Sequence, residues 1–130
     1  MIFVDSSVWI DYFNGRATHQ VEVLHDLLGQ EPLVIGDIVL AEVLQGFRKD
    51  KDFRTARDLL VSLQVVNVLN TKIALLSARN FRRLRKRGIT VRKTLDSIIA
   101  SFCISQQYFL LHANQDFGPF EDHLGLKVIA

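Results

Sequence analysis

The sequence predicts a single α/β domain, residues 1–130, in which a parallel β-sheet is covered by helices on both faces. Short apolar runs of three or four residues alternate along the chain with longer segments whose apolar residues recur at helical spacing. Parallel strands need long crossover connections, which such helices supply, and strands buried on both faces are apolar throughout. The length suits one domain, and the sequence contains neither a repeat nor a linker.

The first strand and the two helices after it are predicted from local start and stop signals. Residues 2–4 are apolar and short, as expected of a buried strand. Ser6 or Ser7 can cap the helix that follows, and Asn14-Gly15 ends it. A second helix fits residues 18–28, where apolar residues recur on one face.

The remaining elements continue this alternation. Strands are predicted over residues 33–35, 65–68, 108–111 and 127–129, and helices over residues 38–45, 53–63, 71–86, 94–107 and 117–123. Gly46 and Gly88 supply stop signals, and Thr94 caps the helix that begins there. Asp37 is interpreted as the cap of the helix after the second strand.

The composition is that of a folded protein, with 48% hydrophobic and 23% charged residues. The single cysteine, Cys103, excludes an intrachain disulfide and a cysteine-based metal cluster, and it is interpreted as inert core. No apolar run reaches the roughly 18 residues that a membrane span needs, and no basic leader precedes an apolar stretch. We therefore expect a cytoplasmic protein with no membrane segment.

The net charge of +2 hides an uneven distribution of charge along the chain. Residues 79–93 (RNFRRLRKRGITVRK) hold eight of the sixteen basic residues and no acidic one, whereas all fourteen acidic residues lie elsewhere. Such a segment can attract a polyanion, although a solvated helix face has the same composition. Lys93, three residues before Asp96, is expected to touch a bound phosphate.

Four carboxylates are predicted to converge at one edge of the sheet. Asp5 directly follows the first strand, and Asp116 follows the strand over residues 108–111 by a few positions. Glu42 lies about one turn into the helix that leaves the second strand, and Asp96 lies in the first turn of a later helix. Because the carboxyl ends of parallel strands lie along one edge, where ligands bind, these side chains can reach a common site.

The chemistry of this predicted site is that of a divalent cation. Carboxylates brought together repel one another and cost stability unless cations neutralise them. Hard oxygen ligands suit Mg²⁺ or Mn²⁺, which can lower the pKa of a bound water and stabilise charge on a phosphodiester. Since the basic segment can hold a nucleic-acid backbone, the pattern predicts metal-dependent hydrolysis of a nucleic acid.

Each acid also has a purely structural interpretation. Asp5 and Asp96 suit helix N-termini, and Asp116 suits a turn. Glu42 is harder to explain in this way because it interrupts an apolar run, residues 38–44. The four histidines show no paired metal-ligand spacing. The predicted site therefore depends on the four acids together.

Four motifs in order along the chain resemble those of the PIN-domain ribonucleases, and especially the VapC toxins of bacterial toxin–antitoxin pairs. They are residues 5–10 (DSSVWI), 41–46 (AEVLQG), 96–100 (DSIIA) and 112–117 (HANQDF). Their order and spacing cover essentially the whole chain, which makes the resemblance specific although each motif is short.

The resemblance implies a three-layer α/β/α sandwich and an endoribonuclease that uses Mg²⁺ or Mn²⁺ to cut single-stranded or loop RNA, such as transfer or ribosomal RNA. It assigns catalytic and metal-binding roles to Asp5, Glu42, Asp96 and Asp116. It also implies that Ser6 orients Asp5 or a bound water. A homodimer is implied as well, held inactive by a cognate antitoxin that inserts a segment near the acidic site.

Asn114 departs from the family pattern, because many members carry an acid two residues before the fourth aspartate. An amide oxygen can still coordinate a hard cation or bind its water. The loss of one negative charge argues against a second tightly held ion. It leads to the hypothesis of one resident ion and a second that the substrate recruits.

Two other functions are compatible with parts of the pattern. A noncatalytic nucleic-acid-binding module would use the basic segment and need no divalent ion. The predicted RNA contacts are Arg85, Lys86, Arg87, Arg92 and Lys93. A receiver-like signalling domain has a similar length, but it needs paired acids near the first strand and a lysine after a late one. Here Asp5 is followed by serines, and the late strand leads to His112-Ala113-Asn114.

Overall fold

The computed structural model describes residues 1–130 and shows five strands and seven α-helices. The strands are β1 (Ile2–Val4), β2 (Leu33–Gly36), β3 (Gln64–Val66), β4 (Phe109–Leu111) and β5 (Lys127–Val128). The helices are α1 (Ser6–Phe13), α2 (His19–Leu27), α3 (Asp37–Leu44), α4 (Asp50–Val61), α5 (Thr71–Lys86), α6 (Thr94–Gln106) and α7 (Gly118–Leu124). A 3₁₀ turn over Gln115–Phe117 precedes α7.

All five strands form one parallel sheet in the order β3-β2-β1-β4-β5. The central strand β1 is fully apolar and buried, and Phe3 lies between Val34 of β2 and Leu110 of β4. From β1 the chain first proceeds outward through β2 to β3, and then returns to the other side of β1 through β4. This reversal places a topological switch point between β1 and β4, which is where open parallel sheets bind ligands.

Helices pack in two groups, one on each face of the sheet. Helix α1 packs against α2 and α3, and α3 packs against α4. Helix α5 packs against α6 and α7, which belong to the crossovers that lead to β4 and β5. The architecture is a three-layer α/β/α sandwich, and it confirms the predicted fold class.

The core is one continuous apolar cluster around the central strands. Phe3, Trp9, Phe117 and Phe120 are its largest fully buried side chains, and complete burial of one such ring contributes about 2–3 kcal/mol. The end of β2 is packed so closely that a Cβ on Gly36 would lie 2.7 Å from Val68 Cγ2. Glycine is therefore required where β2 passes into α3.

Several element boundaries differ from the predicted ones for local reasons. Helix α4 begins at Asp50 rather than at residue 53, because Asp50 and Asp52 place negative charge at the positive end of the helix. The interpretation of Asp37 as a helix cap is wrong. Asp37 is the first residue of α3, and its Oδ1 accepts hydrogen bonds from the backbone N–H groups of Ile38 (2.8 Å) and Val68 (3.1 Å).

Helices α5 and α6 are joined by buried polar contacts rather than by apolar packing alone. The hydroxyl groups of Ser77 and Ser97 are 2.9 Å apart, and Asn80 Nδ2 donates to Ser101 Oγ over 3.0 Å. All four side chains are buried. These contacts fix how α6 sits on α5, and they thereby position the N-terminus of α6 at the edge of the sheet.

Two further expectations bear on the predicted function. Cys103 is fully buried, which confirms its predicted place in the core, and burial raises the pKa of its thiol far above the ordinary value. No helix of the protein has both the length and the apolar character that a membrane crossing requires.

Candidate functional site

The candidate site lies at the switch point, where the ends of β1 and β4 meet. Asp5 follows β1 directly and is 3% exposed. Its backbone N–H donates to the carbonyl of Leu111, the last residue of β4, over 2.9 Å. The first acidic residue and the segment after β4 are therefore held side by side by the sheet itself.

Ser7 connects Asp5 to the segment after β4. Its hydroxyl donates to Asp5 Oδ2 over 2.6 Å, and its oxygen accepts the backbone N–H of Ala113 over 3.0 Å. The backbone N–H of Ser7 also donates to Asp5 Oδ2, which makes Asp5 the N-cap of α1. The resemblance assigns to Ser6 the orientation of Asp5 or of a bound water, but Ser6 makes no hydrogen bond to Asp5. In the structure Ser7 orients Asp5. The sequence signals this role only by having a second serine next to Ser6 in the motif.

Asp96 lies in the first turn of α6 and is 7% exposed. Burial, together with the nearby carboxylates of Asp5 and Asp116, raises the pKa of its carboxyl to about 6. Lys93 and a hydrogen bond from Asn114 act in the opposite direction without cancelling the effect. The electrostatic coupling shows that Asp5, Asp96 and Asp116 share one site, as the topology predicts.

Asn114 is the residue that connects these acids by hydrogen bonds. Its Nδ2 donates to Asp96 Oδ2 over 3.3 Å, and its Oδ1 accepts the backbone N–H of Asp116 over 3.0 Å. Its own backbone N–H donates to His112 Nδ1 over 3.2 Å. The side-chain amide of Asn114 therefore directs the positive end of its dipole toward Asp96. It also fixes the turn that carries Asp116.

His112 lies beside Asn114 and is held neutral. Burial lowers the pKa of its imidazole, and the contact with the backbone of Asn114 places the remaining proton on Nε2. The ring packs on Phe117 with the ring centroids 4.9 Å apart. His112 Nε2 is buried and has no hydrogen-bond partner.

Asp116 is paired with a basic residue from the connection between α5 and α6. Arg92 Nη2 donates to Asp116 Oδ1 over 2.8 Å. The contact raises the pKa of Arg92, which keeps the guanidinium charged. Arg92 is a predicted RNA contact, and in the structure it contacts Asp116, a predicted metal ligand.

Glu42 is the one predicted acid whose side chain makes no hydrogen bond in the structure. It lies in α3, which packs against α1, so its helix is next to the one that Asp5 caps. Its side chain is half-buried, and its Oε1 is buried with no hydrogen-bond partner. A buried carboxylate oxygen that no donor satisfies is costly, and a bound cation would satisfy it.

The five predicted RNA contacts divide into two groups. Arg92 and Lys93 line a cavity of about 730 Å³ together with Ser7, Asn114 and Asp116. The other three, Arg85, Lys86 and Arg87, lie at the exposed C-terminal end of α5 and do not line this cavity. Arg85 instead lies over the ring of Phe81, with its guanidinium carbon 5.6 Å from the ring centroid.

The donor set at the site fits a hard divalent cation in its chemistry. It contains carboxylate and amide oxygens, which are ligands that such a cation prefers, and one of them, Oε1 of Glu42, has no hydrogen-bond partner. A cation would also relieve the repulsion among the carboxylates. With the side chains as they stand, however, no three Asp, Glu, His or Cys side chains are arranged to hold an ion. Cation binding therefore requires side chains to rotate, and the contacts of Asp96 with Asn114 and of Asp116 with Arg92 are the ones that would change.

A parallel sheet with coupled carboxylates at its switch point defines an α/β domain built to bind a ligand at that edge. Comparison with known families identifies the domain. Residues 2–120 match the model of the PIN domain. The chain therefore belongs to the PIN-domain family, as its four motifs indicate.

Individual relatives agree with this assignment. The chain is 29% identical over 119 residues to ribonuclease VapC11 of Mycobacterium tuberculosis, covering 90% of this chain and 89% of that protein. It also resembles the solved structure of VapBC2 from Rickettsia felis bound to a DNA fragment from its promoter, with a TM-score of 0.76, 21% identity and coverage of 99% and 98%. VapBC-1 from nontypeable Haemophilus influenzae gives a TM-score of 0.73, 24% identity and coverage of 99% and 97%. These two structures share the fold of this chain.

Proposed function

We propose that this protein is a metal-dependent endoribonuclease that hydrolyses phosphodiester bonds of RNA and acts as the toxin of a toxin–antitoxin pair. The observation that carries the proposal is the convergence of Asp5, Asp96 and Asp116 at the switch point, where burial and repulsion between the carboxylates raise the pKa of Asp96. Carboxylates gathered in this way favour a cation. Membership of the PIN-domain family and the 29% identity to a VapC ribonuclease support the choice of RNA as the substrate.

In the proposed mechanism, Asp5, Asp96 and Asp116 would hold Mg²⁺ or Mn²⁺, with Glu42 and the amide oxygen of Asn114 as further donors. The bound ion would supply a water of lowered pKa and would stabilise the negative charge that develops on the phosphate. Ser7 keeps Asp5 in a fixed rotamer through its 2.6 Å hydrogen bond. An outer contact of this kind orients a ligand and commonly changes affinity or activity by roughly 10–100-fold.

The cavity beside the carboxylates would hold the sugar–phosphate backbone. Arg92 and Lys93 line it, and their charges can bind phosphate without reading sequence. The substrate in this proposal is transfer or ribosomal RNA. A cognate antitoxin that covers the acidic site would regulate the enzyme, and a homodimer would be the working assembly. The support for a partner is that the structural relatives were solved as VapBC pairs.

A noncatalytic nucleic-acid-binding module is the second candidate. Arg85, Lys86 and Arg87 are exposed at the end of α5 and do not line the acidic cavity, which favours a binding surface that works without the carboxylates. This module would bind RNA in EDTA, and binding would survive loss of Asp5 or Asp96.

The test is cleavage of total RNA by purified, partner-free protein, with Mg²⁺ or Mn²⁺ and with EDTA. Wild type would be compared with Asp5→Asn and Asp96→Asn, and with Asp122→Asn, which removes an exposed carboxylate outside the site. We expect discrete products that require the metal, that disappear in the first two variants and that persist in the third. Cleavage that is indifferent to EDTA and to both site substitutions would contradict the proposal. RNA binding without cleavage under all conditions would favour the binding module.

A further inference from the structure

The ion pair of Arg92 and Asp116 lines two neighbouring cavities. Arg92, Gln115 and Asp116 line the cavity of about 730 Å³ beside the carboxylates. The same three residues also line an adjacent cavity of about 250 Å³. The pair is thus accessible from both cavities.

The contact is a direct one between two short segments that lie outside the α-helices and the strands. Arg92 Nη2 and Asp116 Oδ1 are 2.8 Å apart, and the side chains are 69% and 17% exposed, respectively. Arg92 lies in the connection between α5 and α6, and Asp116 lies in the 3₁₀ turn before α7. A guanidinium carries five N–H donors, and this hydrogen bond uses one of them. Arg92 can therefore change partners at little structural cost.

No other ion pair of the protein involves a residue of the acidic site. The remaining two join Arg16 with Asp11 and Arg57 with Asp58, close in sequence and away from the switch point. The Arg92–Asp116 pair instead connects residues 24 positions apart. Lys93 lines the same cavity and makes no ion pair. The pairing is specific to Arg92.

We propose that Arg92 is an internal counter-ion that competes with a divalent cation for Asp116. It occupies Asp116 Oδ1 before the cation binds, and the cation displaces it. This inference rests on the cation site of the proposed function. In the structure no three acidic side chains are placed to hold an ion, and Asp116, one predicted ligand, is engaged by Arg92. Once displaced, Arg92 remains in the cavity and provides a phosphate contact that forms only after the cation is in place.

The test is the affinity for Mn²⁺, measured by isothermal titration of protein that was treated with EDTA and dialysed. Since an exposed ion pair contributes little, Arg92→Gln is expected to bind Mn²⁺ roughly two- to fivefold more tightly than wild type. Arg87→Gln removes the same charge from the exposed end of α5, outside the cavity. It is expected to leave the affinity nearly unchanged.

A second pair of variants separates direct competition from a general effect of charge. In the Asp116→Asn background, Arg92→Gln is expected to have no effect on Mn²⁺ affinity, because the shared carboxylate is gone. Equal affinities of wild type and Arg92→Gln, or an equal gain in Arg87→Gln, would overturn the inference while leaving the cation site intact. No Mn²⁺ binding by any variant would overturn the cation site and the inference with it. Circular dichroism would establish that each variant is folded.

Discussion

Ser7 Oγ lies 2.6 Å from Asp5 Oδ2 and accepts the backbone N–H of Ala113 over 3.0 Å. One hydroxyl thus connects the residue after β1 with the segment after β4. The two strands already meet through the hydrogen bond from Asp5 to Leu111. Ser7 extends this register from the sheet into the acidic site, and under the proposed function it belongs with the residues on which activity depends.

Replacing Ser7 with alanine is expected to lower the rate of RNA cleavage by roughly 10–100-fold, because Asp5 loses the hydroxyl that orients it. The free energy of unfolding should fall by only about 1 kcal/mol, because the backbone N–H of residue 7 can still donate to Asp5, which remains the N-cap of α1. The measurements are cleavage kinetics and urea unfolding. Ser6→Ala is the matched control. A larger loss of activity in Ser6→Ala than in Ser7→Ala would contradict the assignment.

Asp96 is expected to make the stability of the cation-free protein depend on pH. Its pKa is raised by folding to about 6, from roughly 4 in an unfolded chain. The folded state therefore binds the proton more tightly. Its contribution to stability is fully present below pH 4 and is lost as the pH rises through 6. At pH 8 in EDTA, Asp96→Asn should be more stable than wild type by about 1 kcal/mol.

Urea unfolding at pH 4.5 and at pH 8, in EDTA, measures this difference. The advantage of Asp96→Asn should shrink as the pH falls, and Asp122→Asn should show no such trend. Added Mn²⁺ should stabilise wild type at pH 8 and have little effect on Asp96→Asn. A variant that is less stable than wild type at pH 8 would show that burial and repulsion do not act on Asp96 in this way.

Asn114→Asp would place a further acid between Asp96 and Asp116, to both of which Asn114 is hydrogen-bonded. In EDTA the variant should be less stable than wild type, because the donor to Asp96 is replaced by a negative charge. Its affinity for Mn²⁺ should rise by roughly tenfold, since affinity follows the charge of the ligand set. Isothermal titration also gives the stoichiometry. An increase above one ion per chain would support the hypothesis that Asn114 limits resident metal; weaker binding than wild type would contradict it.

Much of the fold is readable from the sequence because each apolar run is bounded by turn signals and the strands β1 and β2 are buried along their whole length. Strand β1 and helices α1 and α5 have the predicted positions. The start of α4 is harder to predict from the sequence, because Asp50 lies before the periodic apolar residues. Its negative charge stabilises the helix start by interacting with the helix dipole. The error at Asp37 has a different cause. Its partner Val68 is 31 positions away, and no local pattern reveals such a contact.

The approach of Asp5 to the segment that carries Asp116 could be predicted because sheet topology brings strand ends together, and Asp96 joins them because the N-terminus of α6 lies at the same edge. The contacts that organise the site could not. Arg92 meets Asp116 through the geometry of the connection between α5 and α6. The role of Ser7 rather than Ser6 depends on the direction of one side chain in the first turn of α1. Such details depend on rotamers and loop paths, which sequence spacing does not specify.

The buried contact between Ser77 and Ser97 should matter for stability, because Ser97 directly follows Asp96. Replacing Ser97 with alanine leaves the buried hydroxyl of Ser77 without its partner. The expected loss is about 1–3 kcal/mol in the free energy of unfolding. Ser77→Ala combined with Ser97→Ala should cost less than the sum of the two single variants, because both remove the same contact. Strictly additive losses would show that the pair is not coupled.

The central measurement is the rate of total-RNA cleavage as Mn²⁺ is raised from zero, for wild type and four single variants. The variants are Asp5→Asn, Glu42→Gln, Asp96→Asn and Asp116→Asn, with Asp122→Asn as the control. The wild-type and control rates should rise and saturate with Mn²⁺, and each of the four site variants should be slower by roughly a hundredfold or more. Wild-type rates in the four site variants, or cleavage that persists without Mn²⁺, would contradict a carboxylate-bound cation as the centre of the activity.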